Sequence, residues 1–227
     1  MKPRLAGLAA CALGLSLLTG CVTPPPPYDY TALRAAKPVT LLVLPPLNDS
    51  PEVNAVAGVW SHTTLPLAEA GYYVLPAVLV NETFRQNGVN TPNDAHSIPR
   101  EKLRSFFGAD AAVYLKVTKY GTTYKVVASE TLVELEARVV DLRTGELLWA
   151  GTGRASSAEQ QQQSQGGLIG LLVTAIVQQI VGTAVDASYT YAGTATLRTL
   201  TAQRYNGLLP GPRSPQYGQP PVAPPGR

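Results

Sequence analysis

Few residues of this chain stand in patterns that could do chemistry. Glu134 and Glu136 are two apart in an alternating run. A strand would set both carboxylates on one face, about 7 Å apart. That separation could suit the paired carboxylates of a glycosidase. Arg138 continues the same series, which describes a solvated strand face of mixed charge instead. His62 and His96 lie far apart with no HxH or HExxH pattern, so they assemble no metal site. Ser61 and His62 are adjacent, which on a helix points their side chains apart, and no G-x-S-x-G elbow is present. Gly151-x-Gly153 lacks the third glycine and the following helix of a dinucleotide loop. The expectation is a protein with no catalytic residues, no metal ligands and no cofactor.

Cys21 is the exception. Leu18-Thr19-Gly20-Cys21 places an aliphatic residue and two small residues before a thiol, the pattern of a bacterial lipobox. In that chemistry the thiol is alkylated with diacylglycerol. The Gly20–Cys21 bond is then cut, and the freed amine is acylated. Ahead of it, Lys2 and Arg4 form a positive start, and Leu5 to Leu18 is apolar. That run suits a secretory signal and is too short to span a bilayer. Residues 1–20 are therefore expected to be signal peptide, with Gly20 and Cys21 flanking the cut. Cys11 leaves with the signal, so Cys21 is the one cysteine of the mature chain and no internal disulfide can form. Several acyl chains would hold the protein firmly, since stable anchoring takes two hydrophobic signals. Val22 follows the cysteine where inner-membrane retention would call for Asp. By similarity to bacterial lipoproteins in general, this implies the outer membrane, with the domain mostly facing the periplasm.

Composition narrows the partners. The chain has 18 Lys+Arg against 15 Asp+Glu, a net +3, and only 15% charged residues. Losing Lys2 and Arg4 with the signal lowers this to 16 against 15, or +1. No basic field and no interleaved aromatics favour nucleic acid. With 227 residues the chain can bury one good-sized core.

The elements follow from periodicity. Residues 21–37 open with Pro24–Pro27 and read as an extended, lipidated tether. Residues 210–227 hold seven prolines and read as an extended or disordered tail. One α/β domain is expected over 38–209. Val39–Leu44 is nearly continuous apolar, a strand buried on both faces. A helical stretch runs from about Pro51 to Ala70, broken or kinked at Pro66. Tyr72–Leu75 is the next strand, so the start reads as βαβ. Ala77–Gln86 is a helix, Val89–His96 a polar loop, and Pro99–Phe107 a helix closed by Gly108. Val113–Tyr120, Thr131–Asp141 and Glu146–Gly153 then alternate apolar and polar residues. They predict an antiparallel β-meander with one packed and one wet face. Trp149 is expected in the core. A last helix is expected over about Ala187–Gln203.

Three stretches carry a family resemblance. They are Phe107-Gly108-Ala109-Asp110-Ala111, Lys119-Tyr120-Gly121-Thr122-Thr123-Tyr124, and Val140 through Trp149 (VDLRTGELLW). Together with the lipobox they resemble outer-membrane lipoproteins of the genome-derived neisserial antigen type. That family is similar in fold to the curli secretion lipoprotein CsgG and to the N-terminal domain of TolB. The resemblance covers most of 38–209 and implies an α/β domain; it brings no established enzymatic activity to carry over. No pair of strands here has the length and alternation of a membrane barrel, so no pore is expected.

Residues 160–185 contain no charge. Leu168–Val185 reads as a helix apolar nearly all round, which must be covered on every side. Gly166, Gly170 and Thr174 form a small-residue row that allows close helix contact. A buried core or interface helix, a surface that docks on a membrane or partner, and a membrane span all remain open. Gly170, Ile176 and Ile180 are the candidate interaction residues. The resulting expectation is a non-catalytic accessory of envelope assembly, transport or secretion. It would act as a homo-oligomer or by docking on another envelope lipoprotein of CsgG type. Regulation of peptidoglycan synthesis and, in another class, periplasmic cell-wall hydrolysis are the alternatives.

Overall fold

The computed structural model describes residues 25–124, 129–159 and 187–224. Seven helices and six strands are assigned among them: α1 Thr31–Ala36, β1 Thr40–Val43, β2 Leu47–Asn48, α2 Ala55–Trp60, α3 Thr64–Glu69, β3 Tyr73–Val74, α4 Ala77–Gln86, α5 Pro92–Ser97, α6 Arg100–Phe107, β4 Ala111–Tyr124, β5 Ser129–Asp141, β6 Leu147–Ser156 and α7 Ala187–Leu200. The fold is mixed α/β, as the sequence predicts.

The sheet runs β3-β1-β4-β5-β6. β1 pairs in parallel with β3 and with β4, whereas β4, β5 and β6 form an antiparallel meander. Pro45-Pro46 stops β1 because proline has no N–H for the ladder. The chain resumes as β2, parallel to β4 at Leu47↔Lys116 and Asn48↔Val117.

Leu41 to Leu44 are all buried because helices cover both faces of the sheet there. Leu41 and Val43 join Val59, Leu67, Leu115 and Leu135 in one core, beneath α1, α2, α3 and α7. Leu42 and Leu44 join Val80, Phe84, Ala95 and Leu103 in a second, beneath α4, α5 and α6. Past β4 the second layer ends. Val133, Leu135, Ala137 and Val139 face the first core, and Glu134, Glu136 and Arg138 face outward.

Gly151 and Gly153 have a packing reason. Both sit on the inner face of β6, opposite Ala137 and Leu135. A Cβ on Gly151 would run into the Trp149 ring, and one on Gly153 would strike the Thr199 side chain and come 2.6 Å from the Ala195 carbonyl oxygen of α7. The glycines let Trp149 lie along the strand and let α7 press on the sheet through Ala192, Ala195 and Thr199. Gly153→Ala is therefore expected to destabilise the domain by about 1–3 kcal/mol, the usual cost of overpacking. Denaturant unfolding checks this, and an unchanged midpoint would reject the close approach.

Four sequence expectations need correction. The helical stretch from Pro51 to Ala70 is two short helices that break over Ser61–Thr63, not at Pro66. Pro66 sits in the first turn of α3, where its missing N–H has no intrahelical partner to lose. The expected loop Val89–His96 contains α5. Thr91 and Asp94 form a capping box there, each side chain accepting the other's backbone N–H. The six residues of α5 hold one buried apolar side chain, Ala95, and so gave no apolar period to announce it. The domain also begins before residue 38: Tyr30 and Leu33 of the expected tether are buried. It runs past 209 as well. Gly211 N–H donates to Ala70 O at 2.7 Å and Arg213 N–H to Gly71 O at 3.0 Å, tying the start of the expected tail beside β3.

Candidate functional site

Cys21, Gly20, Gly170, Ile176 and Ile180 lie outside the described residues. The other sequence candidates are in view, and they do not converge. Glu134 pairs with Lys119 at 3.3 Å, and Lys116, across from Glu136, pairs with Asp49 at 2.6 Å. These are partners on a wet sheet face, where such pairs contribute little to stability. Among the described residues no group of three or more His, Cys, Asp and Glu could hold a metal ion. Among them, too, no helix is long and apolar enough to cross a membrane.

The two histidines are packing residues. His62 stacks against Tyr189 at 4.5 Å. His96 makes a 2.9 Å hydrogen bond with the Pro45 carbonyl oxygen and meets the Tyr114 ring edge-on at 5.2 Å. Burial pushes the His96 pKa down; the bond to Pro45 opposes this, and Arg138 adds to it. A depressed folded value means that the unfolded chain binds the proton more readily. The stabilisation is present above the ordinary histidine pKa of about 6.5 and is lost as pH falls through the lower folded value. The melting temperature is expected to fall on acidification below about pH 6.5, and less steeply in His96→Gln. Equal slopes for the two proteins would reject the role of His96.

The Asp141–Gly145 turn, part of the family resemblance, is also structural. Asp141 is only 2% exposed. Its Oδ1 accepts the Arg143 and Thr144 amides at 2.6 and 3.1 Å, and its Oδ2 accepts Arg143 Nη2 at 2.9 Å. Burial alone would raise this carboxyl, but those donors and the guanidinium hold it below the usual range. Arg143 also donates to Ala36 O, fastening the turn to the end of α1. Nearby Asp110 accepts the Val39 and Thr40 amides at 2.9 Å through one oxygen. A cavity of about 420 Å³ between Arg104, Asp110 and Arg143 is thus walled partly by groups already engaged in holding strand ends.

The most distinctive site is where residues 25–30 meet the segment that follows α7. Tyr205 Oη donates to Pro25 O at 2.6 Å, and Asn206 Nδ2 to Pro26 O at 2.9 Å. Tyr28 N–H donates to Asn206 Oδ1 at 2.9 Å, and Tyr30 Oη to Gly207 O at 2.6 Å. Tyr28 Oη in turn accepts the Ala150 N–H of β6 at 3.0 Å. Beside this junction a pocket of about 270 Å³ is lined by Leu33, Arg34 and Lys37, by Tyr72, and by Leu209–Pro212 and Tyr217–Gln219. Among the described residues, no acidic side chain lines it. Burial, with Tyr28 adding, pushes the Tyr30 hydroxyl up to about 12, and burial raises Tyr72 as well. Both phenols stay protonated and donate, Tyr72 to Leu209 O at 2.8 Å. Two cations over an apolar floor suit an anion that carries an apolar body. Sequence reasoning missed this pocket because it assigned both walls to unstructured ends. The available signal was the absence of any Asp or Glu from Ala187 to Arg227.

Comparison with known proteins agrees with the fold. The LpoB C-terminal domain from Salmonella enterica is a distant likeness, 20% identical over 52% of this chain and 82% of that one, with a TM-score of 0.37. The crystal structure of lipoprotein GNA1162 from Neisseria meningitidis is much nearer in sequence. It is 47% identical, covers 64% of this chain and all of its own, and has a TM-score of 0.50. "Putative lipoprotein NMB1124/NMB1162" of Neisseria meningitidis serogroup B is 46% identical over 213 residues, 94% of this chain and 97% of that protein. The family model "Putative lipoprotein GNA1162-like" matches residues 28–213, which take in Tyr28, Tyr30 and Tyr205–Gly207 of the junction but not Pro25 and Pro26. The chain belongs to the GNA1162-like lipoprotein family.

Proposed function

We propose that this chain is an acyl-anchored lipoprotein of the outer membrane that faces the periplasm and serves, without catalysis, in envelope assembly or transport. Cys21 carries the diacylglycerol and the amide-linked acyl chain, and cleavage falls between Gly20 and Cys21. The protein works by contact, with its own copies or with other envelope lipoproteins. The observation that carries this reading is how the polar side chains are used. Asp110 and Asp141 hold backbone amides at strand ends. Asp94 closes a helix cap, and Glu134 pairs with a lysine on the open sheet face. Membership of a lipoprotein family supports the anchor.

The test is in situ cross-linking in native membranes followed by purification. Adducts with its own copies or with another envelope lipoprotein are expected. Hydrolysis of peptidoglycan by the purified protein would overturn the non-catalytic reading. The apolar stretch 168–185 is the proposed contact. Ile176→Arg is expected to lower the oligomer mass by placing a charge in an apolar interface, and Gly170→Leu to do so by bulk. Light scattering of protein lacking residues 1–21 reads both. A wild-type protein that is monomeric at tens of micromolar would remove self-association and leave docking on another lipoprotein.

A further inference from the structure

Counted from Cys21, the chain is fastened into the fold after four residues, at the bond between Pro25 O and Tyr205 Oη. Four extended residues reach at most about 14 Å. The headgroup layer of one leaflet is roughly 5–7 Å thick. If Cys21 is acylated, as proposed above and on which this inference rests, the junction end of the domain sits against the membrane surface. It does not hang on a long arm.

That end is also where positive charge gathers. Residues 25–38 and 201–219 carry Arg34, Lys37, Arg204 and Arg213 against the single acid Asp29, a net +3, while the whole mature chain carries +1. Arg34 and Lys37 line one pocket with Leu209–Pro212 and Tyr217–Gln219, and Tyr30 Oη donates to Gly207 O, so the two segments form one surface. The Arg213 guanidinium lies over the Tyr73 ring at 5.1 Å. The Asp29 carboxylate is taken up by the Thr31 amide and hydroxyl at 2.9 and 2.6 Å. On the neighbouring strand ends, Asp110 is held by the Val39 and Thr40 amides and Asp141 by Arg143.

We infer that the junction end of the domain is a lipid-contacting surface for anionic phosphate headgroups, with Arg34 and Lys37 at its centre. Charge complementarity and the four-residue reach of the anchor both point to a bilayer as its occupant. Each cation near an anionic leaflet contributes about fivefold to membrane contact.

The test uses the mature lipoprotein purified from membranes, with its mass measured first. It is reconstituted into vesicles of phosphatidylcholine alone or mixed with phosphatidylglycerol. Amide hydrogen exchange is then followed in residues 31–37 and 204–217. Exchange there is expected to slow in the anionic vesicles, to recover at high salt, and to recover in Arg34→Glu/Lys37→Glu, in which loss of the two cations alone removes roughly 25-fold of membrane contact and the added carboxylates remove more. Both side chains are exposed, and a matching melting curve shows that the variant keeps its fold. Equal exchange in the two vesicle types, with the acylated mass present, overturns the surface and leaves the anchor standing. A mature chain without acyl mass overturns the anchor. In that case, binding of added phosphatidylglycerol vesicles upholds the surface and its absence overturns it. Equal slowing by inorganic phosphate in detergent, without vesicles, assigns a free anion and overturns the lipid surface.

Discussion

Trp149→Ala is expected to cost the domain about 3–5 kcal/mol, the range for emptying a buried aromatic site. Trp149 is 1% exposed and lies on the inner face of β6 opposite Val139. Its Nε1–H donates to Asn206 O at 3.2 Å, so the ring also fastens the junction. Asn206 in turn binds Tyr28 and Pro26. Removing the ring leaves a cavity in the first core and the Asn206 carbonyl without its donor. Total stability of such a domain is roughly 5–15 kcal/mol, so this is a large share. At roughly 2–4 °C per kcal/mol for a domain of this size, the melting temperature should fall by about 6–20 °C. Trp149→Phe keeps most of the buried area and should lie between wild type and Ala. An unchanged melting temperature for Trp149→Ala would mean that the ring does not hold the core.

Cys21→Ser is expected to abolish acyl anchoring outright. A hydroxyl cannot replace the thiol as the nucleophile that takes diacylglycerol. The variant should accumulate as an unprocessed precursor or as protein released from the outer-membrane fraction. Fractionation of membranes and the mass of the mature chain read the result. A Cys21→Ser protein that still matures and sediments with the outer membrane would reject the lipobox assignment. The expected size follows from the number of chains: one acyl group binds marginally, and two or more hold firmly.

Much of the sheet was legible in advance. Alternation in Thr131–Asp141 placed Val133, Leu135, Ala137 and Val139 inside and Glu134, Glu136 and Arg138 outside, and β5 has that pattern. The unbroken apolar run around Leu41–Leu44 correctly marked a strand covered on both faces. Both are period effects, which survive in the sequence because each face meets one environment along its length. α5 was not legible, since a six-residue helix held by the Thr91–Asp94 box has too few apolar positions to show a period. Gly151-x-Gly153 was read only as an incomplete dinucleotide loop, and its close packing against Trp149 and α7 was not legible.

The sequence alone determined the candidate anchor chemistry at Cys21, the strand faces and the poverty of catalytic groupings. These are covalent or local properties, readable from neighbours a few residues apart. Only the tertiary structure decided which distant segments join the core. Tyr28 binds Asn206 across 178 positions of sequence, and Tyr30 binds Gly207 across 177. A proline-rich stretch read by itself has no apolar period and is taken for a free end. Here Tyr30 and Leu33 enter the core, Gly211 and Arg213 supply backbone donors beside β3, and burial outweighs the stretches' intrinsic preference for extended chain. No local pattern encodes that pairing, because each half of it is completed by residues at the opposite end of the chain.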